Sequence, residues 1–372
     1  MQQTPDSPDP VDSPSPNFEQ LAADIKIWGR ELGFQHVGIS DVDLGEHPQR
    51  FAGWIARGFH ADMEFLSRDI EKRTQPATLI PGTQRVIAVR MDYWPADTRP
   101  WEILRDGNRA YISRYALGRD YHRTIRKRLQ KFADRIVEAV GDFGYRAFVD
   151  SAPVMEKPLA EKAGLGWMGK HTLIINRHAG SYFFLGELFT DLPLPVDAPV
   201  SSHCGSCSAC IKICPTQAIV APYQLDSRKC ISWLTIEYDG VIPEELRAPI
   251  GNRVFGCDDC QLVCPWNRYA RISPEKDFLP RHALDQASLR ELFLWSEKQY
   301  LDATEGMALR RSRYPSFLRN MAVGLGNAPY DPAIIAALEQ RLVDADEVLA
   351  EHIVWAIAQQ RARAVVINTF TN

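Results

Sequence analysis

Residues 204–215 read Cys204-Gly-Ser-Cys207-Ser-Ala-Cys210-Ile-Lys-Ile-Cys214-Pro215, and residues 257–265 read Cys257-Asp-Asp-Cys260-Gln-Leu-Val-Cys264-Pro265. The first run has the C-x2-C-x2-C-x3-C-P spacing of chains that hold two [4Fe–4S] clusters, where the fourth cysteine of a run serves the other cluster. The second run is one cysteine short, and Cys230 is available to complete it. The arithmetic closes. Cys204, Cys207, Cys210 and Cys264 make one cluster site, and Cys214, Cys230, Cys257 and Cys260 make the other. Each proline after a distal cysteine turns the chain away and removes a backbone donor. A pair of zinc sites is the competing reading, because C-x2-C pairs also build zinc ribbons. The additional cysteine at x2 and the x3-C-P ending count against it. Radical-SAM chemistry needs C-x3-C-x2-C, and Gln217 and Asn267 stand where its last cysteine belongs.

All eight cysteines lie between Cys204 and Cys264. Disulfides of a large secreted chain would be spread out, and the cytosol keeps thiols reduced, so this clustering means metal. The chain has 372 residues, 45% hydrophobic and 24% charged, enough apolar material for sizeable cores in two to three domains. Its net charge is −4, from 43 basic and 47 acidic residues. Overall charge therefore offers no attraction to nucleic acid, and such a partner needs a local basic patch. No apolar stretch approaches the ~18 residues of a membrane-spanning helix. Residues 1–17 lack the basic start and apolar run of a signal peptide. They carry Pro5, Pro8, Pro10, Pro14 and Pro16 with Asp6, Asp9 and Asp12, and read as a disordered acidic tail. A cytoplasmic, soluble, monomeric protein with no membrane contact is expected.

Working outward, residues 18–199 predict an α/β (α+β) domain. Helices are expected over 17–33, 51–68, 118–140 and 157–164, and strands over 85–91, 145–150, 172–176 and 182–189. In the helix over 118–140, Ile125, Leu129, Phe132 and Ile136 share one face, and Arg123, Arg126, Lys127, Arg128 and Lys131 occupy the others. Residues 200–275 form the ferredoxin-like unit. Residues 276–372 read as all-helical, with short helices over 314–326, 333–342 and 348–360. Such pairs suggest a HEAT-like segment too small for its own core, which should pack on the rest. Two clusters imply electron delivery to an acceptor in the first domain. No G-x-G-x-x-G follows a predicted strand, so dinucleotide binding is unsupported. The corrinoid motif Asp-x-His-x-x-Gly also fails, because Ile125 stands where its glycine belongs after Asp120-Tyr-His122.

From about residue 18 to the C-terminus the chain resembles the epoxyqueuosine reductases, which complete queuosine in tRNA. The motifs are Arg114-Tyr-Ala-Leu-Gly-Arg-Asp-Tyr-His122, Asp150-Ser-Ala-Pro-Val-Met-Glu156, Ala163-Gly-Leu-Gly-Trp-Met-Gly-Lys170, Gly180-Ser-Tyr-Phe-Phe-Leu-Gly-Glu187, Leu234-Thr-Ile-Glu237 and Gly256 through Asn267, joined to the first cysteine run. The resemblance implies a cobalamin in the first domain, bound without a protein histidine on cobalt and fed by the clusters from a low-potential donor. It implies two-electron removal of the epoxide oxygen from a modified wobble base.

The resemblance makes Asp150 the proton donor and sets Asp120, Tyr121 and His122 near the substrate base. A capping role is the plain alternative for both aspartates. A neutral acid near pH 7 would need desolvation to raise its pKa. The cofactor site implied by the resemblance comprises Arg73, Asp150, Ala152, Trp167, Gly169, Lys170, Ile174 and Ser232. Glycines let backbone approach a flat cofactor closely, and Lys170 would meet its periphery. His171 departs from the asparagine of the family pattern. Arg310, Arg311, Arg313 and Arg319 cluster in a stretch without acid from Gly306 to Pro329, and with a tRNA substrate they read as phosphate contacts. Two other classes remain in view: a reductive dehalogenase, which usually carries a twin-arginine signal absent before Arg30, and a two-cluster electron-transfer module.

Overall fold

Strands His36–Ser40, Arg85–Asp92, Phe183–Thr190 and Tyr145–Phe148 lie side by side in that order in one antiparallel sheet. The structure, a computed structural model, describes residues 17–370. The tail expected over residues 1–17 lies outside the described residues except for Asn17. That residue is ordered, and its side chain caps helix Phe18–Glu31 by accepting from the backbone of Glu19 and Gln20. The alternation of strands and helices left parallel and antiparallel pairing open. Antiparallel pairing makes this part of the chain α+β.

The period of two along each strand divides the sheet into two faces. Ile87, Val89 and Met91 join Phe184 and Leu188 in a core with Ile25, Leu129 and Phe132. Val86, Ala88, Phe183 and Phe189 point the other way. Helices Phe18–Glu31 and Tyr121–Val140 cover the first face, and helix Glu156–Lys162 covers the second. Helix Tyr121–Val140 buries Ile125, Leu129, Phe132 and Ile136 completely, each stabilising by about 1.5–3 kcal/mol as an upper bound. Asp120 caps its start and Gly141 ends it.

Three expected elements come out shorter. The helix over 51–68 is instead His47–Ala56 and a separate turn Glu64–Ser67, because Gly58 takes φ +65° between them. The strand over 145–150 stops at Phe148, and Asp150 turns at φ +54°. The strand over 172–176 reduces to Ile174–Ile175, paired with Trp167–Met168.

Strand Arg253–Phe255 pairs in parallel with Tyr111–Ile112 and stitches the cysteine-rich region to the first part. Helices Tyr314–Asn327, Pro332–Leu342 and Glu347–Phe370 pack together. Their core is shared: Phe317, Met321 and Ile353 lie in one cluster with Ile112, Leu234, Val254 and Phe255. Arg319, read as a phosphate contact, is a correction. It is 1% exposed, and its guanidinium is spent on the carbonyls of Leu234, Tyr238 and Gly240 at 2.7–2.8 Å and on the Asn320 side chain. All five N–H groups are engaged, and burial lowers the pKa to about 10. It ties the helix to the preceding loop. No helix among the described residues is long and apolar enough to cross a membrane.

Gly38 sets how closely helix Glu156–Lys162 approaches the sheet. A Cβ there would stand 1.9 Å from the Ala163 carbonyl oxygen. Gly38→Ala is expected to destabilise by about 1–3 kcal/mol, the cost of overpacking. A lowered urea midpoint with unchanged slope checks this.

Candidate active site and cluster region

The helical phase that buries Ile125 also turns Tyr121 inward, four residues earlier. The Tyr121 ring stacks on Phe184 with centroids 3.9 Å apart and planes 6° from parallel. Its hydroxyl donates to the Asp150 carboxylate. His122 bridges two acids: Nδ1 lies 2.7 Å from Asp120 Oδ1, and Nε2 lies 3.3 Å from Asp150 Oδ2. The Asp150 backbone N–H donates to the Glu156 carboxylate. That contact holds the turn at a positive φ, a conformation costly for a non-glycine residue and concentrated at functional sites.

Burial alone would raise the Asp150 pKa, but the hydrogen bonds from His122 and Tyr121 outweigh it and hold the carboxyl below its ordinary value. Burial alone would lower that of His122, but its bonds to Asp120 and Asp150 win and push it up to about 9. Without substrate the pair is thus Asp150 carboxylate and His122 imidazolium.

Asp150 and Tyr121 line an open cavity of ≈ 270 Å³ together with Ile174, Phe184, Ser232 and Cys257. A second, smaller cavity, of ≈ 40 Å³, is lined by Cys204, Cys207, Cys210 and Cys264, with Lys170 and Trp266. These are the four cysteines that the spacing assigned to one cluster. In the other set, Cys260 lies in the electrostatic field of Cys230 and Cys214, and Cys257 in that of Cys260. Among the described residues no three His, Cys, Asp or Glu side chains converge on a single-ion site. Four of the thiols thus surround one cavity, and Cys257 of the other set lines the larger one.

Residues 73–151 match the family model described as "Epoxyqueuosine reductase QueG, DUF1730", and residues 203–267 match the "4Fe-4S double cluster binding domain". An epoxyqueuosine reductase of Pseudomonas aeruginosa is 61% identical over 343 residues, covering 92% of this chain and 95% of its own. The chain belongs to the epoxyqueuosine reductase family. The Escherichia coli epoxyqueuosine reductase is 55% identical over 347 residues, 93% of this chain and 91% of its own. A crystal structure of an epoxyqueuosine reductase with an epoxyqueuosine-modified tRNA-Tyr stem loop superposes with a TM-score of 0.80 at 26% identity, over 93% of this chain and 100% of that one. The chain is accordingly an oxidoreductase that reduces epoxyqueuosine to queuosine in tRNA, and it carries a domain for two iron–sulfur clusters.

Within this reductase, Asp120, Tyr121, His122 and Asp150 come together as one hydrogen-bonded group. Asp150, Ile174 and Ser232 line the larger cavity, and Arg73, Ala152, Trp167, Gly169 and Lys170 do not. Lys170 is a correction: its ammonium donates to the carbonyls of Gly205 and Cys207 at 2.6 and 2.8 Å, so it clamps the cysteine loop. Trp167 packs edge-on against Trp266, 5.2 Å between centroids. Sequence reasoning gave no role to Glu156, which holds the Asp150 backbone, or to Glu187. The available signal was one acid inside the apolar strand Phe183–Thr190.

The two carboxylates around His122 fix a titration. In ¹³C-histidine NMR its midpoint is expected near 9, and Asp120→Asn should move it toward the ordinary ~6.5. Because the folded value is raised, the stabilisation is complete below about pH 6.5 and is lost as pH rises through about 9. An unshifted midpoint in Asp120→Asn would contradict this geometry.

Proposed function

We propose that the reductase binds cobalamin in the larger cavity and that Asp150 delivers a proton to the oxygen leaving the modified wobble base. The observation that carries this reading is that one cavity is lined by both Asp150 and the cluster cysteine Cys257. A donor is to spare at its edge: Arg73 Nε is a buried N–H without a protein acceptor, and Arg73 acts electrostatically on Glu156, which lines the cavity. Cobalamin, when bound, supplies the low-potential two-electron chemistry that side chains lack.

Loss of the epoxide oxygen as water consumes two electrons and two protons. The chain's own residues hold protons for it. His122 stores one between Asp120 and Asp150, Asp150 presents it to the substrate as burial by the base weakens its ionised form, and the same pair, reprotonated from solvent, delivers the second. Tyr121 keeps Asp150 aimed into the cavity. In this reading Cys204, Cys207, Cys210 and Cys264 hold the outer cluster, where exposed Cys207 marks the entry for electrons from a low-potential donor. Cys214, Cys230, Cys257 and Cys260 hold the inner one, beside the larger cavity.

The helical end, taken as HEAT-like, presents Arg310, Arg311 and Arg313 to the tRNA. Arg311 and Arg313 pair with Glu237 and Asp239, both at 2.8 Å, and such exposed pairs are cheap to trade for phosphate. Arg311 also acts electrostatically on Asp150, which sets it near the catalytic group.

Asp150→Asn, with both clusters and cobalamin loaded, is expected to lose roughly 10²–10⁴-fold in single-turnover conversion of epoxyqueuosine tRNA, followed by nucleoside mass spectrometry. Full activity would refute the assignment. Arg311→Ala and Arg313→Ala should each reduce the salt slope of stem-loop binding by about one. An unchanged slope would move the RNA contact elsewhere.

A further inference from the structure

Glu187 lies in the middle of the sheet, opposite Ala88 on one neighbouring strand and Phe148 on the other. It is 0% exposed. Its place in the strand alternation turns it toward helix Glu156–Lys162, the face that also receives Phe183 and Phe189. Among the described residues no N–H or O–H donor bonds either of its carboxyl oxygens. Its polar contact is another carboxyl, that of Glu156, within hydrogen-bonding range. Two carboxylates cannot hydrogen-bond each other, so the contact requires a proton.

The remaining contacts say where that proton sits. Glu156 already accepts from the Asp150 backbone N–H, and its surroundings include the charges of Asp150, Lys157 and Arg73. The charged groups bearing on Glu187 are Glu156 and Asp150, both acidic. Burial pushes the Glu187 carboxyl well above its ordinary value, and that of Glu156 up to about 7. The proton therefore belongs to Glu187, and the chain of bonds runs from the Glu187 hydroxyl to the Glu156 carboxylate, which also receives the Asp150 N–H.

We infer that Glu187 is a constitutively neutral carboxylic acid that positions Asp150, by donating to Glu156 and so fixing the acceptor that pins the Asp150 turn at φ +54°. The inference rests on the reading of Asp150 as proton donor. Glu187 is a positioning residue and touches no substrate. A lone acid in an apolar face costs stability, so this arrangement trades stability for the aim of Asp150.

Two variants separate donation from proton supply. Glutamine keeps a donor and cannot release a proton, whereas leucine keeps the volume and has no donor. In the wild-type protein, infrared spectra recorded above the value of about 7 held by Glu156 should still show a protonated carboxylic acid band, and that band should vanish in Glu187→Gln. Glu187→Leu should fold at least as stably as wild type and keep its cluster absorbance. Its single-turnover rate should nonetheless fall roughly ten- to a hundredfold, the scale of a misplaced catalytic group. Glu187→Gln should rescue most of that loss without moving the pH profile. Absence of the infrared band, an unimpaired leucine variant, or a glutamine variant as slow as the leucine one would each overturn the inference. If instead Asp150→Asn stays active, the Asp150 reading fails on its own, and the infrared result still decides the carboxyl pair.

Discussion

The hydrogen bond from Tyr121 to Asp150 is the constraint on which the site depends. It joins the first turn of a long helix to the turn that follows the next element, an edge strand, so the two ends of one helix–strand unit are tied together. The helix is held by the apolar face that buries Ile125, Leu129 and Phe132, so the position of Tyr121 follows from core packing. The turn is held by Glu156, whose helix packs on the opposite face of the sheet. Two faces of one sheet therefore aim a single carboxylate. His122, the next residue after Tyr121, is charged because the same geometry brings it between Asp120 and Asp150.

The cysteine-rich region is built on the same frame. Its strand Arg253–Phe255 pairs with Tyr111–Ile112, which lies shortly before helix Tyr121–Val140. Asp258, between two cluster cysteines, accepts from Tyr111, Ser113 and the Arg114 backbone. The larger cavity opens where these meet the sheet, so Cys257 and Asp150 share its wall. The helical end adds to the same core through Phe317 and Met321, and Arg319 anchors it by its hydrogen bonds to backbone carbonyls. Arg311, paired with Glu237, stays within electrostatic reach of Asp150 as a result.

Legibility in the sequence follows from how local each signal is. Cysteine spacing is local, and it groups Cys264 with the first run, the set that lines one cavity. The amphipathic helix was equally plain, because its period is written in consecutive residues. Strand pairing is not local: alternating strands and helices suit parallel and antiparallel sheets alike, and only the register of Arg85–Asp92 against Phe183–Thr190 decides. Arg319 was misread because a cation among cations looks exposed, while its acceptors are carbonyls about 80 positions earlier. Lys170 was misread for a similar reason, since the loop it clamps lies 35 residues on. The group around Asp150 was recognised by family resemblance, and the pKa balance that ionises it required distances.

The account stands on what fills the cavity between Asp150 and Cys257. The most direct measurement is equilibrium binding of cobalamin to the cluster-loaded protein, compared with Ile174→Trp, which places an indole in that cavity. One cobalamin per chain in the wild type, lost in Ile174→Trp with the cluster absorbance intact, is the predicted result. Equal binding by both proteins would place the cofactor elsewhere and contradict the account.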